Sequence, residues 1–125
     1  MAGPVQAAIR AHVRAGARLP TPTGRAVFVV HELNPTGIVL LLGPKRAWTP
    51  LSWECLEGIP EFLRGHTWVR VGANRDVHGN PGTLDEYLKG CMKRQTADYV
   101  AVVLERAGIV ELDRDLPARV RLSKR

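Results

Sequence analysis

Residues 83–122, TLDEYLKGCMKRQTADYVAVVLERAGIVELDRDLPARVRL, decide the fold expected for this chain. Thr83 is a helix N-cap residue type, and Glu86 three positions later completes a capping box, so a helix is predicted to begin there. Residues 96–107 carry apolar side chains at helical spacing, and Gly108 follows them as a helix C-terminal glycine. The first part of this stretch is therefore predicted to be two helices joined by a short turn.

The remainder of the stretch alternates in the manner of β-strands. Residues 109–112 and 118–122 flank the turn-forming run 113–117, and together they predict a two-stranded ribbon with a basic tip. Helix, turn, helix and ribbon in this order resemble a winged helix-turn-helix, a resemblance that covers residues 83–122 and rests on pattern. It implies a module that grips duplex DNA, and a protein-contact module would have a similar pattern.

The resemblance implies a set of DNA-contacting side chains at the start of the second helix, where base edges are read, and in the wing, where phosphates are held. The predicted contacts are Arg94, Gln95, Thr96, Arg114, Arg119 and Arg121. Arg10 and Arg14 extend this footprint if a first helix, predicted over residues 5–16, lies on the same side of the molecule.

The distribution of charge agrees with a polyanionic partner. The chain carries a net charge of +6. Residues 1–25 contain four arginines and no acid, residues 26–92 six basic and seven acidic side chains, and residues 93–125 eight basic and five acidic ones. Phosphate neutralisation releases counterions and favours binding whatever the base sequence. The alternative interpretation is that the charge serves solubility.

Three tryptophans, Trp48, Trp53 and Trp68, are candidate base-stacking residues. They fall near Lys45 and Arg46, and an aromatic side chain beside cations can stack an unpaired or flipped base. This pattern suggests a sensor of modified bases that acts beside a separate nuclease. The alternative is that the tryptophans anchor the core, as large aromatic side chains commonly do.

The first half of the chain predicts a helix followed by a sheet. Residues 26–31 and 38–42 are rich in β-branched and other apolar side chains, and Asn34-Pro35-Thr36-Gly37 between them predicts the turn of a hairpin. A third strand is predicted at 47–49 and another at 68–71, with 18–25 as a loop. Ser52 caps a helix that is predicted to reach Arg64 and to break near Gly58, ahead of Pro60.

These elements predict a single α+β domain over residues 1–125. Its first part, 1–72, combines the N-terminal helix, the hairpin-based sheet and an acidic-faced helix, and its second part, 83–122, is the winged-helix-like half. A non-catalytic role is predicted, with no metal or cofactor, because no catalytic constellation or ligand spacing is recognisable. The pair Asp76 and His78 is isolated, and a solvated turn is the favoured interpretation.

Location and cysteine chemistry give the remaining expectations. No apolar run reaches membrane-spanning length and the first sixteen residues lack a signal-peptide core, so a cytoplasmic protein with no membrane partner is expected. Cys55 and Cys91 are far apart in sequence and in no metal-ligand spacing, so they are predicted to be free buried thiols; a disulfide, disfavoured in a reducing compartment, is the alternative. The alternative function is an interaction module that dimerises or recruits a protein through the Val102 side of the second helix and the acidic face of 54–61.

Overall fold

A computed structural model describes residues 3–73, 81–115 and 117–123. The Asp76 and His78 pair, and the terminal residues 124 and 125, lie outside the described residues. The elements in chain order are α1 (Pro4–His12), β1 (Arg18–Pro20), β2 (Val27–Leu33), β3 (Gly37–Leu42), β4 (Ala47–Ser52), α2 (Trp53–Glu57), α3 (Ile59–Leu63), β5 (Val69–Arg70), α4 (Leu84–Cys91), α5 (Ala97–Arg106), β6 (Val110–Asp113) and β7 (Arg119–Leu122). The predicted α+β class is confirmed.

Strands β1 to β4 form a four-stranded antiparallel sheet in sequence order. The predicted hairpin between β2 and β3 is confirmed. Its turn is fixed by the side chain of Asn34, whose Oδ1 accepts hydrogen bonds from the backbone N–H groups of Thr36 and Gly37, both at 3.0 Å. Strand β1 was expected to be loop; it pairs with β2 along its three residues, as an edge strand too short to show a periodicity of its own.

The segment after β4 folds as two short helices, as Pro60 predicts. Ser52 Oγ accepts a hydrogen bond from the Cys55 N–H at 3.1 Å and so caps α2. The helix ends at Gly58, and Pro60 occupies the first turn of α3, where its missing N–H costs no intrahelical bond.

The predicted order of elements in the second half is also confirmed. Thr83 Oγ1 accepts from the Glu86 N–H at 3.2 Å, so the predicted N-cap is confirmed, while Glu86 Oε1 accepts at 3.0 Å from the N–H of Gly82, the residue before the cap. Helix α5 is followed by Gly108 at φ 79°, a conformation that glycine adopts without strain. Strands β6 and β7 pair antiparallel, and β5 joins β7 to complete a three-stranded sheet.

Both sheets share one hydrophobic core, and α5 runs through it. Six of its ten residues are buried: Ala97, Val100, Ala101, Val102, Val103 and Leu104. The helix contacts α1, α4, β1 and β6, and Tyr99 meets Phe28 of β2 edge-on with ring centroids 5.2 Å apart. Val102 is 3% exposed, so the expectation that its side of the helix faces a partner is wrong; the second sheet covers this helix.

The two cysteines form a disulfide, contrary to the expectation of free thiols. Cys55 of α2 and Cys91 at the end of α4 have Cα atoms 6.1 Å apart, although 36 positions separate them in sequence. Tyr87 supports the same contact by donating its hydroxyl hydrogen bond to the Cys55 carbonyl at 2.6 Å. The prediction failed because it weighed sequence spacing, whereas tertiary packing brings the two helices together.

Within the described ranges, no helix has both the length and the apolar character that crossing a membrane requires.

Candidate nucleic-acid interface

The wing arginines are each paired with an acid. Arg119 donates to Asp113 Oδ2 at 2.5 Å, and Arg121 donates to Glu111 Oε1 at 3.0 Å, across the β6–β7 ribbon. Arg114 forms a bidentate pair with Glu105, and hydrogen bonding to that carboxylate raises the Arg114 pKa. The predicted basic tip is therefore largely neutralised by its own neighbours.

Trp68 lies against the same ribbon. The guanidinium carbons of Arg121 and Arg119 sit 4.4 and 5.2 Å from its ring centroid. These cations cover the ring and hold it half-buried. Trp68 consequently has little free face on which a base can stack.

The three residues predicted to begin a recognition helix differ in their exposure and in their contacts. Arg94 donates from Nη1 to the Trp48 carbonyl at 2.9 Å and from Nη2 to Thr49 Oγ1 at 3.0 Å, so it is bound to strand β4. Gln95 is exposed, whereas Thr96 is 1% exposed and packs inside the core. Thr96 is thereby removed from the predicted contact set, because a buried hydroxyl has no access to a nucleic acid.

The N-terminal arginines lie on a different part of the surface from the wing pairs. Arg10 Nη2 donates to the Asn34 carbonyl at 3.1 Å, and its guanidinium lies 5.4 Å from the Trp53 ring centroid. Trp53 is 5% exposed and its indole N–H donates to the same carbonyl at 2.7 Å, so it serves the core. Arg14 is exposed. The structure thus joins Arg10 to the β2–β3 turn.

Trp48 differs from the other two tryptophans in being 55% exposed. It lies on the side of the four-stranded sheet that faces away from the hydrophobic core. The cross-strand register places it beside Leu41, which pairs with Val29, which pairs with Arg18, so these four residues form one row across all four strands. Val27, 47% exposed, and His31, whose ring is 5.2 Å from that of Trp48, flank the row.

We call this surface the open sheet face. It comprises Arg18, Val27, Val29, His31, Leu41 and Trp48. Further cations lie at one end of the sheet, since the β1–β2 turn carries Arg25 and the β3–β4 turn carries Lys45 and Arg46. All three are exposed, and among the described residues none has an ion-pair partner.

The sequence of β4 gives no signal for this face, because the apolar Trp48 is exposed and the polar Thr49 is buried. In the structure, Trp48 and Pro50 point away from the core while Thr49 and Leu51 point into it. Their burial separates Trp48 from the core tryptophan Trp53. The three tryptophans therefore form no common cluster.

The acidic face expected at 54–61 is mostly engaged in intramolecular contacts. Glu57 accepts hydrogen bonds from the backbone N–H groups of Val5 at 3.1 Å and Gln6 at 2.8 Å, and so caps the N-terminus of α1. Glu61 pairs with Arg64 at 2.9 Å. The alternative interaction module therefore loses the Val102 side, whereas Glu54 and Glu61 of the acidic face remain exposed, and this alternative stays a prediction.

No grouping of three or more His, Cys, Asp or Glu side chains suited to a metal ion occurs in the part of the chain that the structure describes. Comparison of the chain with protein-family models, curated proteins and solved structures finds no match. The functional inference therefore depends on the geometry of the chain itself.

Proposed function

We propose that this protein is a non-catalytic nucleic-acid-binding domain that holds a single strand on the open sheet face. The observation that carries the proposal is the exposure of Trp48, 55%, on a sheet face that is apolar at its centre and cationic at its margin. Exposing a large aromatic side chain to water is unfavourable in free energy, and a partner that covers the side chain removes that unfavourable contribution.

The chemistry of the face favours a strand of nucleic acid over other partners. An unpaired base stacks on an indole ring whatever its identity, and neighbouring cations neutralise the backbone phosphates. Arg18 stands at one end of the row and Trp48 at the other, with Val29 and Leu41 between them. A four-stranded sheet that stacks two or three splayed bases is an established way of recognising single-stranded RNA.

The predicted duplex mode has weaker support. A recognition helix needs an exposed face to enter the major groove, and α5 is buried on most of its surface. The wing arginines would have to exchange carboxylate partners for phosphates, which reduces the gain from each contact. A single strand on the sheet requires neither change.

The test is a binding titration of labelled mixed-sequence single strands and duplexes against the wild-type protein and Trp48→Ala. Loss of one stacked base should weaken single-strand binding about tenfold, whereas Trp48→Phe should recover most of it. Affinity should fall with rising salt because phosphates are contacted. Arg119→Gln combined with Arg121→Gln is the control and should leave single-strand affinity unchanged.

Two results would overturn this proposal. Tighter binding to duplex that the wing double variant weakens and Trp48→Ala leaves intact would return the site to the wing. Salt-insensitive self-association that Trp48→Ala abolishes, with no nucleic-acid binding, would make the open sheet face a dimer interface instead.

A further inference from the structure

A cleft separates the β1–β2 turn from the β6–β7 wing and has a volume of about 370 Å³. Its walls come from three places that are distant in sequence: Thr21, Thr23 and Arg25 of the turn, Arg70 of β5, and Asp98 and Arg114 beside the wing. This cleft is a different place from the row of residues on the open sheet face.

Two of the three guanidinium groups in the cleft have no carboxylate partner among the described residues. Arg25 and Arg70 are exposed and have no ion-pair partner among residues 3–73, 81–115 and 117–123. Arg70 lies directly opposite Arg119 on the adjacent strand, where Asp113 pairs with Arg119 and not with Arg70. An anion held in the cleft would give Arg70 the partner that the described residues do not supply.

The other polar groups fit an oxyanion with several acceptor oxygens. The hydroxyl groups of Thr21 and Thr23 hydrogen-bond to each other at 3.5 Å, which uses one of their two protons and leaves the other to be donated to a ligand. Arg114 remains with Glu105, so it contributes little net charge. Asp98 is the acid of the cleft, and its carboxylate opposes an anion bound there; burial, followed by the charge of Asp85, raises its pKa.

We infer that this cleft binds a phosphate group through Arg25 and Arg70, with the threonine hydroxyls as further donors. Guanidinium groups match phosphate oxygens in geometry and make charge-assisted hydrogen bonds to them. The phosphate has two conceivable sources, the backbone of a bound strand and a free phosphate monoester. The cleft shares Arg25 with the cationic margin of the open sheet face, whereas Arg70 belongs to the cleft alone and Trp48 lies outside it.

The experiment is a titration with inorganic phosphate and with adenosine monophosphate, at constant ionic strength, followed by NMR chemical shifts of the cleft residues. Saturable shifts are expected in the wild-type protein, with affinity about tenfold lower or worse in Arg25→Gln combined with Arg70→Gln. Arg14→Gln combined with Arg106→Gln removes the same charge from outside the cleft and should have little effect. Asp98→Asn should strengthen binding.

The possible outcomes distinguish the two sources of the phosphate, and they also show when the inference itself is wrong. Arg70→Gln alone distinguishes the sources, because Arg70 is not part of the open sheet face. If Arg70→Gln also binds single strands less tightly and phosphate competes with the strand, the backbone supplies the phosphate. If strand affinity is unchanged, the ligand is a free monoester. Absence of saturable shifts, or equal loss in both double variants, overturns the inference. Trp48→Ala should leave the phosphate response intact, so either proposal can fail alone.

Discussion

Arg94 lies in the turn between α4 and α5, yet its hydrogen bonds go to the Trp48 carbonyl and the Thr49 hydroxyl of strand β4. Strand β4 is an edge of its sheet, and an edge presents unpaired backbone groups to other chains. Pro50 on the same strand has no N–H to offer a partner strand. Arg94 and Pro50 together therefore protect this edge from pairing with another molecule.

Replacing Arg94 by Ala should lower the free energy of unfolding by about 1 kcal/mol, because two hydrogen bonds at a largely exposed site are lost. It should also increase self-association, since the edge of β4 is uncovered. Urea denaturation and light scattering measure the two effects. Lys93→Ala, an exposed cation in the same turn, is the control. If the two variants behave alike, the Arg94 contact contributes nothing specific.

Asp98 provides a residue-level prediction for pH. Burial first, and then the charge of Asp85, raise the Asp98 pKa above 3.8. Between 3.8 and the raised value the folded state binds more protons than the unfolded state, so this residue lowers stability as pH rises through that window. Asp98→Asn should therefore be more stable than the wild-type protein at neutral pH. Urea denaturation at a series of pH values measures the difference.

Asp113 is the comparison for Asp98, because its pKa is shifted in the opposite direction. A hydrogen bond from Arg119 is the main cause that lowers the Asp113 pKa below 3.8. Its stabilising contribution is present above pH 3.8 and is lost as pH falls through the folded value. Asp113→Asn should therefore lose stability at neutral pH. A loss in Asp98→Asn as well would contradict the assignment of these two environments.

At the level of elements, the disulfide joins two helices that are otherwise short. Helix α2 has five residues and α4 has eight, which is below the length at which an isolated helix is stable. The bond between Cys55 and Cys91 closes a loop over a sequence separation of 36 and restricts the unfolded chain. It therefore stabilises the packing of α2 on α4.

Replacing both cysteines by Ala should lower the free energy of unfolding by about 3 to 4 kcal/mol. A reductant should destabilise the wild-type protein to a similar extent and leave the double variant unaffected. Thermal unfolding with and without reductant measures both effects. A double variant as stable as the oxidised wild-type protein would exclude a structural role for the bond.

Across the whole molecule, the sequence predicted structure where the interacting residues are neighbours. The Thr83 cap and the Asn34 turn each involve groups within four positions, and both are confirmed. The element order of the second half followed from such local signals. Whether that half belongs to the winged helix-turn-helix class remains a prediction.

The sequence was less informative where partners are distant. Arg94 meets Trp48 across 46 positions, and Glu57 meets Val5 across 52. No local pattern in the sequence shows that α5 packs between two sheets. Its polar residues Asp98 and Glu105 instead suggested a solvent-exposed face. The wing pairs are different, because they join residues only six to ten positions apart, two of them across the predicted ribbon.

The central place of α5 has a consequence for how the chain is made. During synthesis the first sheet emerges well before residues 97–106, so its inner face, with Phe28 and Leu40, waits for the helix that covers it. In that interval the core residues of α5, β6 and β7 are still missing. Newly made chains should therefore be prone to aggregation and to proteolysis until α5 leaves the ribosome and packs on the first sheet.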